Sequence, residues 1–191
     1  MGNGESSYRR FLAGDDSGMV ELVHEFRDGL MLYLQSYTHN ISDAEDCVQD
    51  TFIRLAVKKP KFSGKSSFKT WLYTIGRNIA ADHRRRDKRN RNVSLDDQAP
   101  IADEADLERS YLVSEQKINL RHTIQSLKEE YQQVLYLTYF EGFSNDETAR
   151  IMGKSRKQTE NLLYNARKAL RTELEKGGFS YENIWAPLKT T

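Results

Sequence analysis

The segment SNDETARIMGKSRKQTENLLYNARK, residues 144 to 168, constrains the fold more than any other part of the chain. Ser144 and Glu147 stand in an S-x-x-E pattern, and Ser155 and Gln158 repeat it as S-x-x-Q eleven positions later. In each pattern the serine hydroxyl accepts from an N–H of the first helical turn, and the longer side chain reaches back to the serine N–H. Donors that a helix start leaves orphaned are thereby satisfied. Two helices therefore begin in close succession. Between them Ala149, Ile151 and Met152 form an apolar face, and Gly153 supplies the backbone freedom of a tight turn. This is the sequence signature of a helix-turn-helix.

In such a motif the second helix enters the major groove of DNA, with residues of its early turns facing base edges and basic residues gripping phosphates. The spacing predicts this helix from about Arg156 to Leu174, with Leu162, Leu163, Ala166, Ala169 and Leu170 turned inward. Lys157, Glu160, Asn161, Tyr164, Asn165 and Lys168 are left on the outer surface, and Ser155 and Gln158 complete the set at the helix start. Asn can bond adenine in bidentate fashion and Glu can accept from cytosine. Lys154, Arg156, Lys157, Arg167 and Lys168 suit phosphates instead. The same residues also fit an ordinary helical hairpin whose charged face meets water, with Glu160 pairing on the surface with Lys157.

A chain of 191 residues with three prolines, 30% charged residues and no run of alternating β-branched residues is expected to be all-α. Its single cysteine, Cys47, lies among apolar neighbours, so it reads as a core residue in a reducing compartment and permits no internal disulfide. No apolar run follows a basic start, and the stretch Val134 to Phe140 falls far short of the ~20 residues that cross a bilayer. A soluble cytoplasmic protein is expected. The net charge of +1 conceals a segregation: residues 82 to 91, DHRRRDKRNR, are basic, whereas residues 96 to 108, DDQAPIADEADLE, carry no Lys or Arg. Small residues, Pro100 and like charges mark the second stretch as a flexible acidic linker, so two small helical domains are expected on either side of it.

In the first half, residues 18 to 38 place Val23, Phe26, Leu30, Leu34 and Tyr37 on one helical face. Ser42 with Glu45 suggests a further capping box that launches the next helix, in which Ala44, Cys47, Val48, Phe52 and Leu55 face inward. Asp43, Asp46, Gln49, Asp50 and Arg54 then face out, and this mostly acidic face reads equally as a solvated surface. After Pro60 a loop carries Phe62, Ser63, Gly64, Lys65, Ser66, Ser67 and Phe68. It leads into a helix with Trp71, Leu72, Ile75, Arg77, Asn78 and Ile79, with Arg84, Arg85 and Arg86 following on its C-terminal end. Stacking rings, small hydrogen-bonding groups and phosphate-neutralising charge are the parts of a single-stranded nucleic-acid site. Trp71 and Phe68 suit a core equally well.

The succession AEDCVQDTFIRL, FSGKSSFKTWLYTIGRNIAADHRRR, an acidic linker and LRHTIQSLKEEYQQVLYLTYFEGFSNDETARIMGKS closely resembles the extracytoplasmic-function group of bacterial sigma factors, over roughly residues 8 to 175. The resemblance implies a region 2 domain over residues 1–91, a linker over 92–114, a region 4 domain over 115–176 and a C-terminal tail over 177–191. It implies that Asp46, Gln49, Asp50 and Arg54 contact the clamp coiled coil of RNA polymerase core. Phe62 to Ser67 would hold a flipped-out base of the melted −10 element, with Asn78 lining that pocket. Trp71 and Arg77 belong to the same site, and Arg84 to Arg86 follow the upstream duplex. Glu160, Asn161, Tyr164 and Asn165 match the positions that read the −35 duplex. Relatives usually carry a valine, a basic residue, a serine and an arginine where this chain has Thr159, Glu160, Asn161 and Leu162, and an arginine in place of Asn165. An unusual −35 preference is the expectation. An anti-sigma protein, membrane-anchored in the family's usual manner, is an implied partner, tied to a stress response.

Catalysis is not expected. His24, His39, His83 and His122 are scattered, no Cys or His pair has metal spacing, and no phosphate loop or nucleophile elbow occurs. No metal, cofactor or small-molecule substrate is therefore expected. A stand-alone helix-turn-helix regulator acting without polymerase is the main rival, and a module that occupies polymerase without reading DNA is another. The tail, with Phe179, Tyr181, Ile184 and Trp185, carries no readable role.

Overall fold

The structure is a computed structural model and describes residues 4–91 and 115–176. Among these residues all regular structure is helical: α1 (Gly4–Leu12), α2 (Ser17–Thr38), α3 (Ile41–Lys58), α4 (Phe68–Arg91), α5 (Glu115–Gln125), α6 (Glu129–Leu135), a π-turn (Tyr136–Phe140), α7 (Asn145–Met152) and α8 (Arg156–Lys176). The helices gather into two compact units. The first is built on α1–α4, and the second holds α5, α6, the π-turn, the opening of α7, and α8. The expected acidic linker and the tail with Phe179, Tyr181, Ile184 and Trp185 lie outside the described residues.

In the first unit α2 is the central helix. Leu22, Phe26, Leu30, Tyr33, Leu34 and Tyr37 are buried along it, against Ala44, Cys47, Val48, Phe52 and Leu55 of α3 and Phe68, Leu72, Tyr73 and Ala80 of α4. Each large apolar side chain so buried contributes about 1.5–3 kcal/mol. α1 carries no strong signal in the sequence; it packs on α2, and its buried Tyr8 ring lies 5.5 and 5.6 Å from Phe68 and Trp71 of α4. Gly18 permits the approach, since a Cβ there would lie 2.2 Å from the Ser7 carbonyl oxygen. Polar ties hold α1 on two sides: Ser7 Oγ and Arg10 Nη1 donate to Glu21 of α2 at 2.8 and 2.9 Å, and the Tyr8 hydroxyl donates to the Pro60 carbonyl, beyond the end of α3, at 2.8 Å.

Two local expectations are corrected here. α3 starts at Ile41, not behind a Ser42–Glu45 capping box. Asn40 is the cap, in extended conformation, and its side chain accepts from Ser42 N–H at 2.9 Å. His39 ends α2 in the left-handed region at φ 55°, so the chain turns directly from one helix into the next and Ser42 falls inside the first turn. The basic stretch does not follow α4 but belongs to it, because the helix continues to Arg91. Arg84, Arg85 and Arg86 thus take successive positions around a helix, so the three do not all share one face.

In the second unit Leu120, Ile124, Leu127, Val134, Leu135, Leu137, Leu163, Ala166, Leu170 and Leu174 are buried. Buried Gln132 donates to the Gln125 and Leu127 carbonyls at 2.9 and 2.8 Å, closing the turn between α5 and α6. The π-turn widens the chain before α7, with Glu141 N–H bonded to the Tyr136 carbonyl at 3.0 Å. No described helix is long and apolar enough to cross a membrane.

Candidate nucleic-acid interface

Both capping boxes of the helix-turn-helix form as the sequence predicts. Ser144 N–H donates to Glu147 at 3.1 Å and Glu147 N–H to Ser144 Oγ at 3.3 Å. Ser155 N–H donates to Gln158 at 2.8 Å and Gln158 N–H to Ser155 Oγ at 3.2 Å. Gly153 between them has φ 65°, where a side chain would be strained. α8 runs from Arg156 to Lys176, two residues past the predicted end.

The inward face of α8 is shifted slightly from the predicted one. Thr159 is fully buried, and its hydroxyl donates to the Ser155 carbonyl at 3.2 Å. Leu163, Ala166 and Leu170 are buried as expected, whereas Leu162 and Ala169 are only half-buried. Lys157, Glu160, Asn161, Tyr164, Asn165 and Lys168 are all exposed, Tyr164 to 69%, a large area for an aromatic ring left in solvent. Several of the cations are engaged. Glu160 accepts from Arg156 Nε at 2.9 Å, not from Lys157, and Arg156 Nη1 also reaches Asp146 at 3.1 Å. Lys154 pairs with Glu130 at 2.8 Å, and Arg167 bonds the Tyr139 hydroxyl with its guanidinium 5.4 Å from that ring. Lys157 and Lys168 carry no ion pair among the described residues.

In the first unit, an open groove of about 900 Å³ is lined by Tyr37, Arg54, Pro60, Trp71, Ile75, Arg77, Asn78, Ala81, Asp82, Arg84, Arg85 and Lys88. Five cations face one carboxylate there, and that carboxylate, Asp82, is already paired with Arg85. Exposed Asn78 accepts from Arg77 Nη1 at 3.2 Å. Trp71 is both core and groove: its ring packs 5.3 Å from Phe62, 5.4 Å from Phe68 and 5.6 Å from Tyr8, and its remaining surface lines the groove. Phe62 is held edge-on against Phe68 at 5.6 Å, so the loop from Ser63 to Ser67 is anchored at its start by rings. It is anchored at its end by Ser67, whose Oγ accepts from Thr70 N–H at 3.2 Å. Phe62 to Ser67 do not line the groove, and neither does exposed Arg86.

Asp46, Gln49, Asp50 and Arg54 are exposed on α3, with Arg54 also reaching the groove. Beside them stand Ile53 and Val57, exposed to 54% and 69%, which the sequence reading missed. The available signal was two apolar residues four apart and out of phase with the inward set Val48, Phe52 and Leu55. One histidine has carboxylate neighbours that the sequence spacing alone does not bring together. His83 Nδ1 lies 3.2 Å from Asp87, and one ligand atom each of Asp43, His83 and Asp87 falls within 4.8 Å of the others.

Residues 22–90 match the family described as Sigma-70 region 2, and residues 117–170 match Sigma-70, region 4. RNA polymerase sigma factor YlaC of Bacillus subtilis (strain 168) is 30% identical over 158 residues, covering 82% of this chain and 91% of that protein. The chain belongs to the extracytoplasmic-function sigma factors of bacterial RNA polymerase. The ECF RNA polymerase sigma factor SigW of the same organism is 26% identical over 172 residues, with 84% and 91% covered. Among solved structures, the sigma factor RpoE, in complex with the anti-sigma factor NepR from Bartonella quintana, superposes with a TM-score of 0.64 at 25% identity, covering 81% of this chain and 97% of that one. In this sigma factor the region 2 match runs from Leu22, within α2, through α3 to residue 90 of α4, with the groove and the outer face of α3, while α1 lies before it. The region 4 match runs from within α5 to residue 170 of α8 and includes α7 and both capping boxes.

Proposed function

We propose that this sigma factor docks on RNA polymerase core through the outer face of α3, with Asp46, Gln49 and Asp50 as its polar contacts. The first unit then opens the −10 element, and α8 reads the −35 duplex. The observation that carries this reading is the groove: an indole surface beside Asn78, Arg54, Arg77, Arg84, Arg85 and Lys88 offers the stacking and phosphate neutralisation that a single strand requires. The loop from Phe62 to Ser67, outside the groove lining and anchored by the packing of Phe62 on Phe68 and Trp71, would hold one unstacked base, whose extraction costs a few kcal/mol that the loop and polymerase together offset. Exposed Lys157 and Lys168 supply phosphate contacts on α8.

The protein so described works beside polymerase in the cytoplasm and catalyses nothing itself. It needs no cofactor, metal or small-molecule substrate. The superposition on RpoE, captured with its anti-sigma factor NepR, supports a partner of that kind here. A stand-alone regulator would bind duplex promoter DNA tightly by itself. The test is a gel shift with and without purified core, joined to permanganate footprinting. Promoter binding and an open bubble are expected only with core, and Asp50→Lys should abolish core association with helix content unchanged. Tight binding without core, or normal association of Asp50→Lys, would overturn the reading.

A further inference from the structure

Arg156 is the first residue of α8, and it is held between two carboxylates from different helices. Its Nε donates to Glu160 Oε1, one turn along α8, at 2.9 Å, and its Nη1 donates to Asp146 Oδ2, at the start of α7, at 3.1 Å. The guanidinium has five N–H groups. Two are used by these bonds, so three remain, including both on Nη2. The carboxylates raise the arginine pKa, chiefly through the Glu160 hydrogen bond and then through Asp146, so the fork is permanently charged.

This arrangement is poorly suited to a phosphate and well suited to a base. A phosphate approaching Arg156 would meet Asp146 and Glu160 as well, two like charges on one cation, and the cluster as a whole is net negative. A guanine edge presents O6 and N7 acceptors without formal charge, so it gains a planar donor pair and meets no such repulsion. Fixing the fork beforehand also removes rotamer freedom that a free arginine would lose on binding. Glu160 Oε1 is already engaged by Arg156.

We propose that Arg156 reads a guanine in the −35 element, with Asp146 and Glu160 as positioning residues that orient its guanidinium. The inference rests on the reading of α8 as the −35 helix. Phosphate contact on this helix then falls to Lys157 and Lys168.

The test is selection from a promoter library randomised over the −35 region, using holoenzyme reconstituted with RNA polymerase core. Wild type should enrich guanine at one position by about tenfold or more, the discrimination of a good bidentate pair. Arg156→Lys keeps the charge and loses the fork. It should flatten that position to near parity, leave the other positions and the salt slope unchanged, and keep the wild-type melting temperature. Asp146→Asn and Glu160→Gln should each weaken the guanine preference while raising affinity for all sequences, because a charge repelling the phosphates is gone. An Arg156→Lys profile identical to wild type overturns the assignment while leaving −35 reading intact. A wild-type holoenzyme with no preference anywhere in the randomised region overturns the −35 reading, and this inference with it.

Discussion

The two units carry their candidate sites in opposite ways. In the first, the groove floor is the outer surface of the core itself: Trp71 lines the groove with one part of its ring and packs on Phe62, Phe68 and Tyr8 with the rest. In the second, Asn161, Tyr164, Asn165 and Lys168 stand off a separate buried row of Thr159, Leu163, Ala166 and Leu170. Where binding surface and core share atoms, site chemistry and stability cannot be varied independently. Where a helix separates them, base preference can drift while the fold stays fixed. Glu160 and Asn165, exposed and off that buried row, stand where such drift leaves the core untouched.

The sharpest way to break this contrast is a pair of aromatic truncations. Phe68→Ala, at 4% exposure, should cost about 3–5 kcal/mol in urea unfolding and lose promoter opening together with stability. Tyr164→Ala should change stability by no more than about 0.5 kcal/mol while altering promoter selection. Equal stability losses for the two would erase the distinction. A smaller effect separates roles within α8. Lys168→Ala should weaken binding to all sequences and lower the salt slope by about 1, whereas Asn161→Ala should relax preference at one position and leave the slope alone.

The smallest expected effect concerns α1. Asp15 is held below the ordinary carboxylate value of 3.8 by its hydrogen bond with Ser17 and then by Arg10. Glu21 is held below 4.5 by Ser7 and then by Arg10. A carboxylate whose value falls on folding stabilises the fold above its unfolded pKa and loses that contribution as pH falls through the folded one. The difference in thermal midpoint between wild type and Arg10→Ala should therefore be largest near neutral pH. It should shrink progressively below these ordinary values, by a modest amount because the pairs are exposed to solvent.

The helix-turn-helix was legible because both capping boxes close within four residues, and the inward row of α3 was legible from its spacing; in α2 Phe26, Leu30, Leu34 and Tyr37 are buried as expected, but Leu22 is fully buried where Val23 is only half-buried. The groove was not legible as a surface. Tyr37, Arg54, Trp71, Arg84 and Lys88 come from three helices, and only their packing brings them together. The start of α3 was misjudged for a local reason: Asn40 and Ser42 are both good caps, and the left-handed His39 decides between them. The π-turn has no recognisable pattern in YLTYF, and the Arg156 fork depends on Asp146, ten residues away across a turn.

Cys47 has a practical consequence. It is the chain's one cysteine, it is wholly buried within the first unit, and burial pushes its thiol up to about 11. In the closed fold it is shielded from alkylating reagents as both a buried and a protonated sulfur. Its labelling rate in the free protein is therefore a clock for the opening of that unit alone, with no other thiol in the chain to react.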